Sequence, residues 1–550
     1  MPITTVSATI RPDVSINGGY RRLALAPGEP HLVRRDLGGA QPGRFRRLTC
    51  FIQLSDLHVT DAQSPARVEF LDRFGDADSE FAAALGRIGV YRPQETLTAQ
   101  VVEAMARSIA RVEHGPLTGA PPEFAFSTGD GTDNCQANEL DAYIGLLDGG
   151  EVVSTDSGDL GRYDGVGSPV QFDPRYWHPD GSPDGVGFDL PRGLHGFPLV
   201  PGLLEAAIAP FAASGLPLPW YAVYGNHDAL FGGTLNAHGV LAEVALGGLK
   251  AIGLSDAAEP LGLLSDNQTA PSASLWGLLS APTRAVKADE NRRPVTTSEW
   301  ITRHLRGAGS PKGHGLALAP PERCYYGFDA GVVRFLVLDT VNTEGGWQGS
   351  IDDEQFRWLE EELIVGSREF ADATGSQVRH VATDRLFVLV SHHPIETLIN
   401  AYTEVPTVRH LENEVRELLA RFPNVVCWVN GHTHANAIRP IRRAGISPTS
   451  GFWQVTTASH IDWPQQSRVV EIAVDIVSGD IVIGTTMIDH LGLVDPRSRD
   501  IDEVKTLAGW SRELSSNAWQ GRRDGKPIGR GTPLDRNTLL VVPAPFAMAR

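Results

Sequence analysis

The sequence predicts an α/β fold in which short buried strands alternate with amphipathic helices, and three observations carry that expectation. Apolar runs such as Phe124-Ala-Phe126 and Leu386-Phe-Val-Leu-Val390 are strand-length and stop abruptly at polar residues. Residues 95–112, ahead of the first of those runs, set Leu97, Val101, Met105 and Ile109 at helical spacing. Finally, five strand ends deliver Asp, Asn or His: Asp56-Leu-His58, Gly129-Asp-Gly-Thr-Asp-Asn134, Gly225-Asn-His-Asp228, His392-His-Pro394 and Gly431-His-Thr-His434. Strand, crossover helix and strand, with polar chemistry at the strands' carboxyl ends, is how α/β sheets are built.

Taken in order, residues 1–47 are polar, rich in Pro, Gly and Arg, and weakly periodic, which predicts an extended N-terminal arm. The first core strand is expected over 48–54, and a helix over 137–147 follows the Asp130 segment. Residues 148–193 form a first insertion, with Asp-Gly and Pro-Asp-Gly turns around Tyr176-Trp177-His178, expected as a lid or wall. A helix over 203–213 and a strand over 220–224 lead to Gly225. A second insertion, 232–320, is rich in Gly, Ala and Leu, with two helical pieces. Beyond it come a hairpin around Asp329-Ala-Gly331, a helix over 352–363, the strand at 386–390, a helix over 408–422 and a strand over 424–429. Two or three further strands reach about residue 487, and 496–550 reads as a tail whose segment 537–542 is an edge strand or docking piece.

Composition bounds the function. Across 550 residues, 41% hydrophobic and 21% charged content is ordinary for a globular chain. A net charge of −18 argues against an extended nucleic-acid surface, which needs clustered Lys and Arg to displace counterions. Cys50, Cys135, Cys324 and Cys427 lie far apart with no Cys-x-x-Cys spacing, so free buried thiols are expected rather than a thiolate metal site. No apolar run follows Arg21-Arg22 or Arg34-Arg35, so the chain as given shows no signal peptide or membrane helix, and a cytoplasmic location is expected. A leader outside this chain would change that expectation, and the oligomeric state is left open.

The strand-end residues converge on one kind of chemistry. An Asp fixed at a strand end, such as Asp130, can bridge two cations. Asp56 with His58, and His432 with His434, each lie two apart, so both side chains of a pair project from one face of an extended segment. Imidazole and carboxylate donors without thiolate suit Mn, Fe or Zn and do not choose among them. Trp177, His178, His460 and Asp462 are read as ordered loop packing rather than as cleft residues.

The order Asp-x-His, Gly-Asp-x-x-Asp-Asn, Gly-Asn-His-Asp, His-His-Pro, Gly-His-x-His resembles the calcineurin-like metallophosphoesterases. The resemblance covers the motif order from about residue 48 to 490, and the hairpin before residue 338 and the helix carrying Gln355 and Trp358 also look like that family's core. It implies two mixed β-sheets packed as a sandwich flanked by helices, a catalytic domain over 48–495 holding both insertions, and two metal ions. Asp56, His58, Asp130 and His434 would hold one ion, and Asp130, Asn226, His392 and His432 the other. His227 matches the family's second-sphere histidine and Asp133 the carboxylate that orients it, which makes the pair the expected proton-handling residues. Asn134 stands where several relatives carry a phosphate-gripping Arg; Asn134 and Asn226 would be groups facing substrate, and His393 would either pack or face substrate with them. No Tyr stands at the position of Asp133, so the tyrosinate colour of the purple relatives is not expected.

The implied reaction is hydrolysis of a phosphate monoester or diester of modest size. A hydroxide shared by two ions about 3.5–4 Å apart would be the nucleophile. The alternatives are a phosphodiesterase for cyclic nucleotides or nucleic-acid ends, and, from another class, an inactive scaffold that keeps only the fold.

Overall fold

In the computed structural model, residues 4–15, 19–76, 79–85, 88–168, 172–237, 239–254, 281–443, 450–523 and 526–548 are described. Thirteen strands, numbered here in chain order, build two mixed sheets. The first sheet runs β1 (Leu32–Arg34), β13 (Thr538–Val542), β12 (Ile481–Asp489), β11 (Gln466–Asp475), β2 (Phe45–Leu54), β3 (Phe124–Ser127) and β4 (Trp220–Ala222). The second runs β5 (Tyr326–Ala330), β6 (Val333–Val337), β7 (Leu386–Val390), β8 (Val425–Asn430), β10 (Gly451–Thr456) and β9 (Ala437–Arg442). β2, β3 and β4 are mutually parallel, as are β6, β7, β8 and β10. Each parallel group therefore gathers its carboxyl ends on one side, which is where loops can bring distant ligands together.

Alternation along the strands decides what each face touches. In β7, Leu386, Val388 and Val390 join the core shared with the first sheet, while Phe387 and Leu389 join a second core. That second core lies under helices α4 (Asp353–Val365) and α5 (Glu412–Ala420) through Leu359, Leu363, Val415, Leu418 and Leu419. A strand buried on both faces must be continuously apolar, which is why residues 386–390 read as they do. Each such side chain contributes about 1.5–3 kcal/mol by leaving water. Between the sheets, Phe124 meets Phe335 and Phe328 edge-on at 5.3 and 5.5 Å, and Phe51 meets Phe335 at 5.4 Å. Edge-on approach suits the aromatic quadrupole.

Helix α1 (Thr98–Ile109) lies against the first sheet, where the Ser108 hydroxyl donates to the Asp489 carbonyl. α2 (Ala137–Asp148) follows the Asp130 segment, and α3 (Thr297–Arg306) closes the second insertion. Helix α4 starts where Asp352 caps it, accepting the Gln355 N–H at 2.8 Å, with Asp353 and Glu354 in the first turn.

Several expectations are corrected. The N-terminal arm contains a hairpin, Ala8–Ser15 with Arg21–Pro27, and supplies β1. The segment expected as an edge strand, β13, is not at the edge, because β1 pairs parallel to it on the outside. The helix expected over 203–213 spans only Leu203–Ile208, and Phe211–Ala212 then pairs with Val152–Val153. The tail holds an unforeseen helix, α6 (Val504–Asn517). Tyr176, Trp177 and His178 are buried: both His178 ring nitrogens bond backbone carbonyls, of Gly167 and Asp173, so these residues are not a lid surface. Residues 255–280 of the second insertion, where part of its helical content was expected, lie outside the described residues. Among the described residues no helix is long and apolar enough to cross a membrane, and all four cysteines are free and buried.

Candidate metal centre

Where β2, β3, β4, β7 and β8 end, the backbone turns sharply and the five motifs meet. Asp56, His58, Asp130, His432 and His434 all have positive φ, between 46° and 67°. They make up five of the nine such non-glycine residues among the described residues. That backbone costs about 1–3 kcal/mol per residue and persists only where surrounding structure enforces it. Here the enforcement is tight packing between motifs. A Cβ on Gly225 would stand 2.2 Å from the Asp130 nitrogen, and one on Gly431 would stand 1.8 Å from Ser55 Oγ. Only glycine permits those approaches.

The seven residues expected as metal ligands come together. The groups Asp56–His58–His434, Asp56–Asp130–His392, His58–Asp130–His227 and His392–His393–His432 each place one donor atom per residue within 4.8 Å of the others. Asp130 links both halves. Its Oδ2 lies 3.1 Å from His392 Nε2 and 3.7 Å from His58 Nε2, while its Oδ1 accepts the His227 backbone N–H at 2.8 Å. One oxygen, not two, therefore faces both halves.

The imidazoles are aimed from behind. His58 Nδ1 donates to Asp133 Oδ1 at 2.9 Å, and Asp133 is in turn gripped by the Arg67 guanidinium. His434 Nδ1 donates to Asp462 Oδ2 at 2.7 Å, and Arg92 Nε holds that carboxylate at 3.0 Å. His392 Nδ1 donates to the Thr128 carbonyl at 2.9 Å. Asn226 gives its Nδ2–H to the Gly233 carbonyl, which turns its oxygen to within 2.9 Å of His392 Nε2.

These bonds make the fit to a cation testable. With Nδ1 donating in both rings, His58 Nε2 and His434 Nε2 face each other as lone pairs at 3.1 Å. In the other half His392 Nε2 meets Asn226 Oδ1, Asp130 Oδ2 and, at 3.3 Å, His432 Nδ1. Acceptors crowded against acceptors, buried and oriented from outside, are stable only around positive charge. The donor set of imidazole, carboxylate and amide oxygen fits a borderline or hard divalent ion.

The titration pattern agrees. Burial alone would lower the His392 imidazole, yet the Asp130 and Asp56 carboxylates raise it to about 9. Burial would raise Asp130, but His392, His227 and His58 hold it well below the usual carboxylate range. Asp56 is raised to about 6, by burial and then by Asp130, against the pull of His392 and His58.

Two expected roles are corrected. The His227 ring does not hydrogen-bond the Asp133 carboxylate, which stands 4.0 Å away; its Nδ1 bonds the Asp133 backbone carbonyl at 2.6 Å. Burial also lowers the His227 pKa, against Asp130 and Asp133, so the resting ring is neutral rather than kept protonated. His393 has no ring nitrogen left for substrate: Nδ1 bonds Thr340 Oγ1 at 2.8 Å and Nε2 the Trp347 carbonyl at 3.1 Å. Burial, then His392, lowers its pKa to about 3. Asn134 spends its oxygen on the Gly232 N–H at 2.6 Å, leaving only a buried Nδ2 without a hydrogen-bond partner.

Three supporting residues escaped the sequence reading. In the sequence Asp462 reads as loop packing, and its placement behind His434 has no local motif. Arg67 and Arg92 stand alone in sequence, 66 and 370 residues from the carboxylates they hold. Only a tertiary contact reveals such partners.

No family model matches this chain, and no curated protein matches it. Among solved structures it is similar to a dimetal phosphatase from Danio rerio, with 10% sequence identity and a TM-score of 0.32 over 81% of this chain and 100% of that one.

Proposed function

We propose that this chain is a dinuclear-metal phosphoesterase acting on a phosphate monoester or diester of modest size. The fold is then read as a calcineurin-like two-sheet sandwich over residues 48–495, with N- and C-terminal segments added to its first sheet. One observation carries the reading: Asp130 Oδ2 stands between His392 Nε2 and His58 Nε2, and carboxylate, imidazole and amide-oxygen groups from five strand ends converge around it. Asp56, His58, Asp130 and His434 would hold one ion, and Asp130, Asn226, His392 and His432 the other, with Mn, Fe or Zn as candidates. When bound, two such ions polarise phosphate oxygens and activate water near neutral pH.

The chain's own residues supply orientation and proton handling. Asp133 and Asp462 fix the His58 and His434 tautomers, and the Thr128 carbonyl fixes that of His392. His227, donating Nδ1–H to a carbonyl, keeps Nε2 available, and its side chain is 21% exposed. A proton taken up at Nε2 when an anionic ester arrives would be handed to the leaving oxygen. In this reading His227 acts on substrate directly, and Asp133 acts through His58.

Elemental analysis of purified protein, paired with turnover of p-nitrophenyl phosphate and bis-p-nitrophenyl phosphate, tests the proposal. Two ions per chain with turnover of either ester is expected, and the ratio of the two esters separates monoesterase from diesterase. Two ions with no turnover of any phosphate ester would favour the scaffold alternative.

A further inference from the structure

Resting on the phosphoesterase reading, we propose that Trp347 is a stacking platform that selects esters whose leaving side carries a neutral planar aromatic group. Trp347 is 45% exposed, although it is a large apolar ring beside a polar centre. Its ring lies 5.8 Å from that of His432, at an interplanar angle of 24°, so one face is backed by a donor residue of the centre. Exposed aromatics placed beside a built site commonly serve recognition, because they offer large rigid contact area at little entropy cost.

The loop bearing Trp347 is fixed at several points. Asn400 Nδ2 donates to the carbonyls of Gly345 and Gln348 at 2.8 and 3.0 Å, and Gly349 N–H donates to the Thr397 carbonyl at 3.0 Å. His393, which the metal centre does not use, donates Nε2–H to the Trp347 carbonyl itself. The ring's place is therefore set before any ligand arrives.

The same loop reaches the leaving-group side. Gly346 N–H bonds the Thr234 carbonyl at 2.9 Å, and the segment 232–234 also accepts from Asn226 Nδ2 through the Gly233 carbonyl. Trp347 thus sits on a strap joining His432 to the segment that positions Asn226 and, next to it, His227. A group esterified to a phosphate held at the centre, leaving toward His227, would meet the Trp347 face. The Glu404 backbone N–H donates to the Glu344 carboxylate beside this strap, and with two acidic side chains there an aromatic group bearing further phosphates would be repelled.

The test uses two esters with comparable alkoxide leaving groups, benzyl phosphate and cyclohexylmethyl phosphate, on the metal-loaded full chain. Benzyl phosphate should be favoured in kcat/KM by about 3–10-fold, mainly through KM. Trp347→Ala should erase that preference and Trp347→Phe should keep most of it. Calorimetric binding of benzylphosphonate against cyclohexylmethylphosphonate gives a readout without turnover, and the same ordering is expected. Equal handling of both by the unaltered protein, or a preference that survives Trp347→Ala, would overturn the platform while leaving the phosphoesterase reading intact. Failure to turn over any of these esters, p-nitrophenyl phosphate and bis-p-nitrophenyl phosphate included, would instead overturn the phosphoesterase reading, and this inference with it.

Discussion

The two halves of the candidate centre share Asp130 but are backed in different ways. Around Asp56, two imidazoles each lean on a carboxylate that an arginine holds: His58–Asp133–Arg67 and His434–Asp462–Arg92. Around Asn226, the shared Asp130 apart, the groups are an amide and two imidazoles, and His392 leans on the carbonyl of Thr128. A carboxylate behind an imidazole raises its basicity more than a carbonyl does. The first half should therefore bind its ion more tightly and favour higher charge. The second should exchange its ion more readily, which suits the side that also meets substrate.

The largest effect is expected where the halves join. Asp130→Ala removes the one oxygen that faces both His392 and His58, and the acceptor for the His227 backbone N–H. Activity should fall by about three orders of magnitude or more, on the scale of lost electrostatic stabilisation at a reacting centre. Metal content should drop mostly from the Asn226 half. Two retained ions with normal turnover would show that Asp130 joins nothing.

Next in size is His227→Ala. The ring lies 4.5 Å from His58, on the carboxylate-backed side, while Asn226 before it serves the neutral side. Proton donation is typically worth about 10²–10⁴-fold and matters most for poor leaving groups. Alkyl esters should lose far more rate than nitrophenyl esters, with both ions retained. Because burial lowers the His227 pKa, the protonated form is the scarcer one. Alkyl-ester activity should therefore decline as pH rises through that value, and the variant should lack this alkaline limb. Equal losses on both ester types would leave His227 as a positioning group.

What the sequence disclosed follows the same contrast between local and distant causes. Strands such as Leu386–Val390 were legible because burial on both faces demands uninterrupted apolar residues. Ligands at strand ends were legible because paired residues and adjacent glycines are local patterns. Helix α6 was not, because Arg512, Glu513, Ser515 and Asn517 are buried polar residues that blur its apolar period. Their burial is offset by partners far away, such as Tyr20 for Glu513 and the His490 carbonyl for Arg512. The role of His227 was misjudged for a related reason. Sequence proximity suggested the Asp133 carboxylate as its partner, whereas Arg67 and His58 had already claimed that group.

The smallest expected effect separates the two carboxylates behind the tighter half. Asp133→Asn keeps an oxygen for His58 Nδ1–H but removes the charge, leaving Arg67 with Glu95 at 2.8 Å and Glu69 at 3.7 Å. Losing such a partner typically weakens metal binding about 10–100-fold. Asp462→Asn makes the same change behind His434, but there the site is wetter: the His434 side chain is 14% exposed and that of His58 is 0%. Water can replace part of what Asp462 supplies, so its loss should fall toward the low end of that range. Competition with a chromophoric chelator measures both variants, and Asn226→Asp adds the converse change by giving the neutral half a charge. Retention should then rank with Asp133→Asn lowest, Asp462→Asn next, the unaltered chain above them, and Asn226→Asp holding its second ion longest. If Asp133→Asn instead released the ion of the Asn226 half first, the carboxylates would not be what makes the halves unequal, and the difference would have to lie in Asp56 itself.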